Sequence, residues 1–162
     1  VQYTVSLASN TGSIATTGNA YNSSFTLSSI ENVEGSDAID HITGDAGNND
    51  LKGENGNDTL LGGDGNDSLD GGRGNDSLDG GAGRDVVFYN RDTDGNAVNA
   101  NLTTGQAVQG SYTDTLAGIE VVIGSQGADT LTGNANRVND FTSAYNPDVL
   151  EGLAGAANPP CR

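Results

Sequence analysis

The sequence predicts an all-β chain wound into a parallel β-roll, with strand-rich segments on either side. Three observations predict it. A nine-residue unit repeats in register through the centre, short aliphatic-centred stretches alternate with Gly/Asn/Asp clusters, and no segment shows sustained helical periodicity.

Six consecutive units run without insertion: GSDAIDHIT from 35, GDAGNNDLK from 44, GENGNDTLL from 53, GGDGNDSLD from 62, GGRGNDSLD from 71 and GGAGRDVVF from 80. Gly opens each unit, Asp or Asn holds the sixth position, and an aliphatic residue holds the eighth. The first six residues of a unit such as GGDGNDSLD are turn formers that tolerate positive φ, so they bend the chain. The last three set one aliphatic side chain between two polar ones, the pattern of a short strand with a single inward face. Ile42, Leu51, Leu60, Leu69, Leu78 and Val87 are the expected inward residues. Two units complete one winding, so next-but-one units stack about 4.8 Å apart. Asp40, Asp58 and Asp76 then line one edge of the roll, and Asn49, Asp67 and Asp85 the other.

The repeats divide the chain. Residues 1–34 form a strand-rich lead-in, 35–88 the roll, 89–118 a strand-rich connector, 119–157 a second, degenerate repeat block, and 158–162 a tail. Within the second block GSQGADTLT at 124–132 keeps the frame, with Asp129 sixth and Leu131 eighth. From 133 the pattern fades to an echo at Gly152 and Gly155. A larger duplication is also visible: Ile30–Ser36 resembles Ile119–Ser125 at an offset of 89, and strand-like stretches at 5–9 and 98–108 precede the two copies. Phe88 and Tyr89 close the first block and are expected to cap the exposed end of the roll.

Composition explains why such a chain needs help to fold. Leu, Ile, Val and Phe make up about 20% of it, close to the level at which chains stay disordered. A formal charge of −16 adds self-repulsion. That acidity excludes nucleic acid and anionic membrane as partners, since both need basic patches. No apolar run reaches the roughly 20 residues of a membrane helix, so no membrane insertion is expected. The single cysteine, Cys161, has no partner for an internal disulfide. The chain starts at Val1 and reads as a piece of a longer protein. Nothing indicates an oligomer.

Stacked carboxylates repel unless a cation sits between them, and glycine turns leave backbone carbonyls uncovered. Carboxylates with carbonyls make an all-oxygen cage suited to Ca²⁺, whereas Mg²⁺ wants a smaller octahedron and keeps its waters. Zinc is disfavoured, since the repeats offer no thiolate and only His41, expected to face outward, as imidazole. The chain contains no HExxH, GxSxG or CxxC, and no catalytic site is expected in it. Asp92-Thr93-Asp94-Gly95-Asn96 resembles the start of an EF-hand loop, but Ala97 takes the place of the required Gly, so a turn is expected there.

These units resemble the RTX (repeats-in-toxin) or haemolysin-type calcium-binding nonapeptide, GGxGxDxUx, tightly over 35–88 and well over 119–132. The resemblance implies a right-handed parallel β-roll in which sixth-position Asp residues and turn carbonyls of stacked units share several Ca²⁺ ions. Carried over by position, it implies side-chain ligands at Asp40, Asp58, Asp67, Asp76, Asp85 and Asp129, with Asn49 in the place of an acid. Carbonyl ligands would come from Gly53, Asn55, Gly56, Gly62, Asp64, Gly65, Gly71, Arg73, Gly74, Gly80, Ala82 and Gly83. Four inter-turn sites are expected in the first block, pairing 40 with 58, 58 with 76, 49 with 67, and 67 with 85. Ala38 departs from the pattern at a fourth-position Gly. Ice binding, known among similar rolls, is rejected because the third-position row (Asp37, Ala46, Asn55, Asp64, Arg73, Ala82) is irregular and charged. The resemblance further implies type I secretion, with folding outside the cell where calcium is plentiful. The expected role is a calcium-dependent folding module, as in a segment of an adhesin or exoprotein. The alternative is the non-catalytic repeat region of a toxin or of a secreted protease, lipase or polysaccharide-modifying enzyme.

Overall fold

The computed structural model describes residues 2–6, 11–15, 23–26, 30–90, 96–133, 140–142 and 149–151. Every regular element among them is a strand. Strands β1 (Gln2–Ser6), β2 (Thr11–Ala15) and β3 (Ser23–Thr26) form an antiparallel meander. After β4 (Asn32–Ser36), the six units supply β5 (His41–Thr43), β6 (Asp50–Glu54), β7 (Thr59–Asp64), β8 (Ser68–Asp70), β9 (Ser77–Ala82) and β10 (Val86–Phe88). A second meander, β11 (Val98–Asn101), β12 (Gln106–Gln109) and β13 (Tyr112–Ala117), leads to β14 (Val121–Ile123), β15 (Thr130–Thr132), β16 (Asp140–Thr142) and β17 (Val149–Glu151).

Each unit extends around its eighth position and bends in the Gly/Asn/Asp-rich turn, so consecutive units fall into opposite sheets. One sheet runs β4-β6-β8-β10-β14-β16 in spatial sequence; the other contains β5, β7 and β9 side by side. Pairing is parallel with a register of two units: Ile42 opposes Leu60, Leu60 opposes Leu78, Leu51 opposes Leu69, and Leu69 opposes Val87. A strand alternates its faces, so this register puts every eighth-position side chain inside. All six are buried, none more than 1% exposed. His41, one residue before Ile42, is exposed. The architecture is the expected parallel β-roll.

The second meander does more than connect. Its last strand, β13, stacks parallel on β9 with Leu116 opposite Leu78, and its first, β11, receives β15 with Ala100 opposite Leu131. Meander β11–β13 is thus inserted sideways into one sheet between two windings of the roll. In the other sheet β14 pairs directly with β10, Val122 opposite Val87. The roll therefore does not end at Phe88 and Tyr89, which corrects the end-cap expectation. Tyr89 is buried at 5% exposure, and its backbone N–H bonds the Ile123 carbonyl at 2.9 Å. The Asp92–Gly95 turn, the echo at Gly152 and Gly155, and the tail at 158–162 lie outside the described residues.

Candidate metal centre

The two-unit register gathers the sixth-position side chains into two buried columns. Asp40, Asp58, Asp67, Asp76, Asp85 and Asp129 are at most 2% exposed, and Asn49 is 3% exposed. Each column is a ladder. Asp58 Oδ1 accepts the Asp40 backbone N–H at 2.8 Å, and Asp76 Oδ1 accepts that of Asp58 at 2.8 Å. On the other edge Asp67 serves Asn49, and Asp85 serves Asp67, both at 2.8 Å. Val98 donates to Asp129 at 2.8 Å in the same manner.

One oxygen of each such carboxylate is therefore committed to backbone. The other is not: Oδ2 of Asp58, Asp67 and Asp76 is buried and accepts no hydrogen bond. A buried acceptor left alone costs about 1–3 kcal/mol, and more when charged. Three of them in register call for a cation.

The first-position glycines show what else faces these oxygens. A Cβ at Gly53 would stand 2.5 Å from Asp58 Oδ2 and 2.6 Å from the carbonyl oxygen of Gly71, one winding above. A Cβ at Gly62 would meet Asp67 Oδ2 and would stand 2.5 Å from the Gly80 carbonyl oxygen. Carboxylate and carbonyl oxygens thus converge where a side chain would otherwise sit, and only glycine leaves that space to them. The Gly53 and Gly62 carbonyls face Gly35 and Gly44 in the same way.

The other turn positions are arranged differently. The third-position carbonyls of Arg73 and Ala82 accept the N–H groups of Gly56 and Gly65, each at 2.9 Å, which leaves one lone pair apiece. Asn55 bridges Arg73, and Asp64 pairs with Ala82, as part of the same ladder. At the fourth position, the Gly56 and Gly65 carbonyls lie against Gly74 and Gly83 of the winding above.

Burial pushes the Asp58 carboxyl up to about 6, against the opposing hydrogen bond from the Asp40 N–H and with help from the Asp40 charge. Asp76 is pushed up to about 7, chiefly by burial and further by Asp114, Asp58 and Asp70. Asp67 is raised as well, again chiefly by burial. These groups resist ionisation on their own, and an adjacent cation reverses that tendency. Among the described residues no three His, Cys, Asp or Glu side chains converge. The donor set is carboxylate plus backbone carbonyl, all oxygen and arranged on turns, which fits Ca²⁺ better than Mg²⁺ or Zn²⁺.

Fold and donor set together define a calcium-binding parallel β-roll. The model of the RTX calcium-binding nonapeptide repeat matches the chain in four copies, over residues 28–60, 61–95 and 112–137. The chain belongs to this family. Comparison with curated proteins gives no match.

Some participants escaped the sequence reading. Asp114 Oδ1 accepts the Asp76 N–H, and Glu120 Oε2 the Asp85 N–H, each at 2.9 Å. Both continue the columns from outside any nonapeptide, and Asp114 Oδ2 also takes the Tyr89 hydroxyl at 2.9 Å. The signal for Asp114 was faint: Asp114-Thr115-Leu116 repeats the Asp-x-Leu of Asp76-Ser77-Leu78. A second ladder runs on the surface through the fifth position. Asn48 accepts from Asn66, Asn66 from Arg84, Asn57 from Asn75, and Asn75 from Thr113, at 2.8–2.9 Å. Four consecutive units with Asn at that position carried the signal for it.

Proposed function

We propose that this chain is a calcium-dependent folding module of a secreted protein, such as an adhesin or another exoprotein, and that it has no catalytic site of its own. The observation that carries this reading is the set of buried, unpartnered Oδ2 atoms on Asp58, Asp67 and Asp76. These acids, with Asp85 in the same frame, would hold the ions together with the first-position carbonyls of Gly53, Gly62, Gly71 and Gly80. When bound, the ion supplies positive charge that reconciles stacked carboxylates, and binding free energy becomes folding free energy. With a net charge of −16 and a thin core, the chain opens where calcium is scarce. It closes where calcium is plentiful. That dependence suits a protein exported unfolded, and the family's usual occurrence in secreted proteins supports the same location. The repeat acids serve this structural role through their ladders, which supports a non-catalytic reading.

Circular dichroism of the chain in chelator, then in rising calcium, tests the proposal. The expected result is a gain of β signal in the millimolar range, reversed by chelator and not reproduced by magnesium at equal concentration. A spectrum indifferent to calcium would overturn it.

A further inference from the structure

The chain carries one junction twice, once occupied and once open. Meander β1–β3 repeats meander β11–β13 in register. Val5 faces Gly12 as Ala100 faces Ala107, and Gly12 faces Phe25 as Ala107 faces Asp114. Val5 lies beside Ile42 as Ala100 lies beside Leu131. At the offset of 89, Thr26-Leu27 matches Thr115-Leu116, and Ile30-Glu31-Asn32-Val33 matches Ile119-Glu120-Val121-Val122.

The later copy sits on the last winding of the first roll, β13 against β9 and β14 against β10. The Glu120 and Val121 N–H groups donate to the Asp85 carbonyl at 3.1 and 2.9 Å, and Glu120 Oε2 accepts the Asp85 N–H at 2.9 Å. Ile119 is 5% exposed there, Glu120 7% and Val122 0%. In the earlier copy β3 and β4 are the end strands of their two sheets. Ile30 is 38% exposed, Glu31 is exposed and Val33 is only half-buried. A terminal cap of a repeat array needs a polar outer face, whereas an open strand edge is a template for further pairing.

We infer that β3 and β4 form the seat for the closing winding of a nonapeptide roll that precedes them in the same polypeptide. The occupied copy defines the chemistry of that partner. It offers an eighth-position aliphatic residue in each of its last two strands, as Leu78 and Val87 do. It also offers a sixth-position Asp whose backbone carbonyl and N–H meet the Asn32 N–H and the Glu31 carboxylate, as those of Asp85 meet Val121 and Glu120. The occupied copy defines the source as well, since residues 89–97 alone separate β10 from the meander that seats on it. One difference is built in. Phe25 stands where Asp114 accepts the Asp76 N–H, so only the Glu31 edge continues a column of acids onto the preceding roll. The inference goes beyond the calcium reading and does not depend on which atoms hold the ions.

The test lengthens the full chain by a copy of its residues 1–95 placed ahead of Val1, a joint that puts Tyr3 in the register of Val98. Amide hydrogen exchange of the β4 peptide is followed by mass spectrometry in saturating calcium, while circular dichroism checks the fold. That peptide occurs twice in the lengthened chain. The outer occurrence is expected to exchange at the parent chain's rate, and the inner one at least about tenfold more slowly. Ile30→Asp in the inner occurrence, which sets a charge where Ile119 is buried, is expected to abolish the slowing. Two equally fast occurrences overturn the inference, as does slowing that survives Ile30→Asp. So do added residues that stay unfolded in calcium while the parent chain folds. Slow exchange of β4 in the parent chain itself, growing with its concentration, would place a second copy on this face and overturn the assignment to a preceding roll.

Discussion

A single glycine shows how closely the repeat is fitted. At Gly53 an added methyl group would stand 2.5 Å from Asp58 Oδ2 and 2.6 Å from the Gly71 carbonyl oxygen. One of those atoms belongs to a buried side chain and the other to backbone, so neither can yield cheaply. Gly47 differs: the nearest obstacle to its Cβ is an oxygen of the Asp45 side chain at 3.1 Å. Gly53→Ala is therefore expected to cost at least about 2 kcal/mol through overpacking alone, and calcium uptake at Asp58 in addition. Gly47→Ala should stay within about 1 kcal/mol of the parent. Denaturant unfolding in saturating calcium measures both, and equal losses would show that first-position glycines are only turn formers.

At the scale of the strand, stability rests on one side chain per unit. Leu69 in β8 is fully buried and lies between Leu51 and Val87 in its own sheet. Leu69→Ala should destabilise the loaded roll by about 2–5 kcal/mol. With binding coupled to folding as proposed, the loss should also appear as a higher calcium midpoint with the ligands untouched. His41→Ala, on the exposed face of β5, should leave that midpoint unchanged. A shift in the His41 variant as large as that in the Leu69 variant would refute this division of labour.

The same scale explains what was legible in the sequence. The strands, their inward residues and the two acidic columns follow from a strict period of nine, because register places every unit once one is placed. The strands of meander β11–β13 fall within the strand-rich connector expected at 89–118, but their place between two windings escaped because a sideways insertion leaves no periodic trace; only Asp114 and Leu116 imitate a unit where β13 touches β9. Tyr89 was read as an end cap since the repeats stop there, yet β14 and Asp114 cover it. The fifth-position Asn ladder was hidden for another reason. Asn is so common in turns that its inter-coil hydrogen bonds look like ordinary turn chemistry.

Across the whole molecule, acidity sets opposite pH responses for the metal-free and calcium-loaded chains. Burial raises Asp58 to about 6 and Asp76 to about 7, from 3.8, with Asp67 raised in the same direction. A carboxyl that holds its proton more tightly when folded stabilises the fold below its unfolded value. That contribution is lost as pH rises through the folded value. In chelator the chain should therefore gain β structure as pH falls from 8 toward 4.5, with most of the change between about 7 and 5. Protonation of surface acids reinforces the trend by relieving the −16 charge. With calcium the sign reverses, because the ion must displace those protons. Its apparent affinity should be lower at pH 6 than at pH 8. Circular dichroism in chelator and calcium titrations at the two pH values separate these responses. If calcium bound equally well at pH 6 and pH 8, the buried aspartates could not be its ligands.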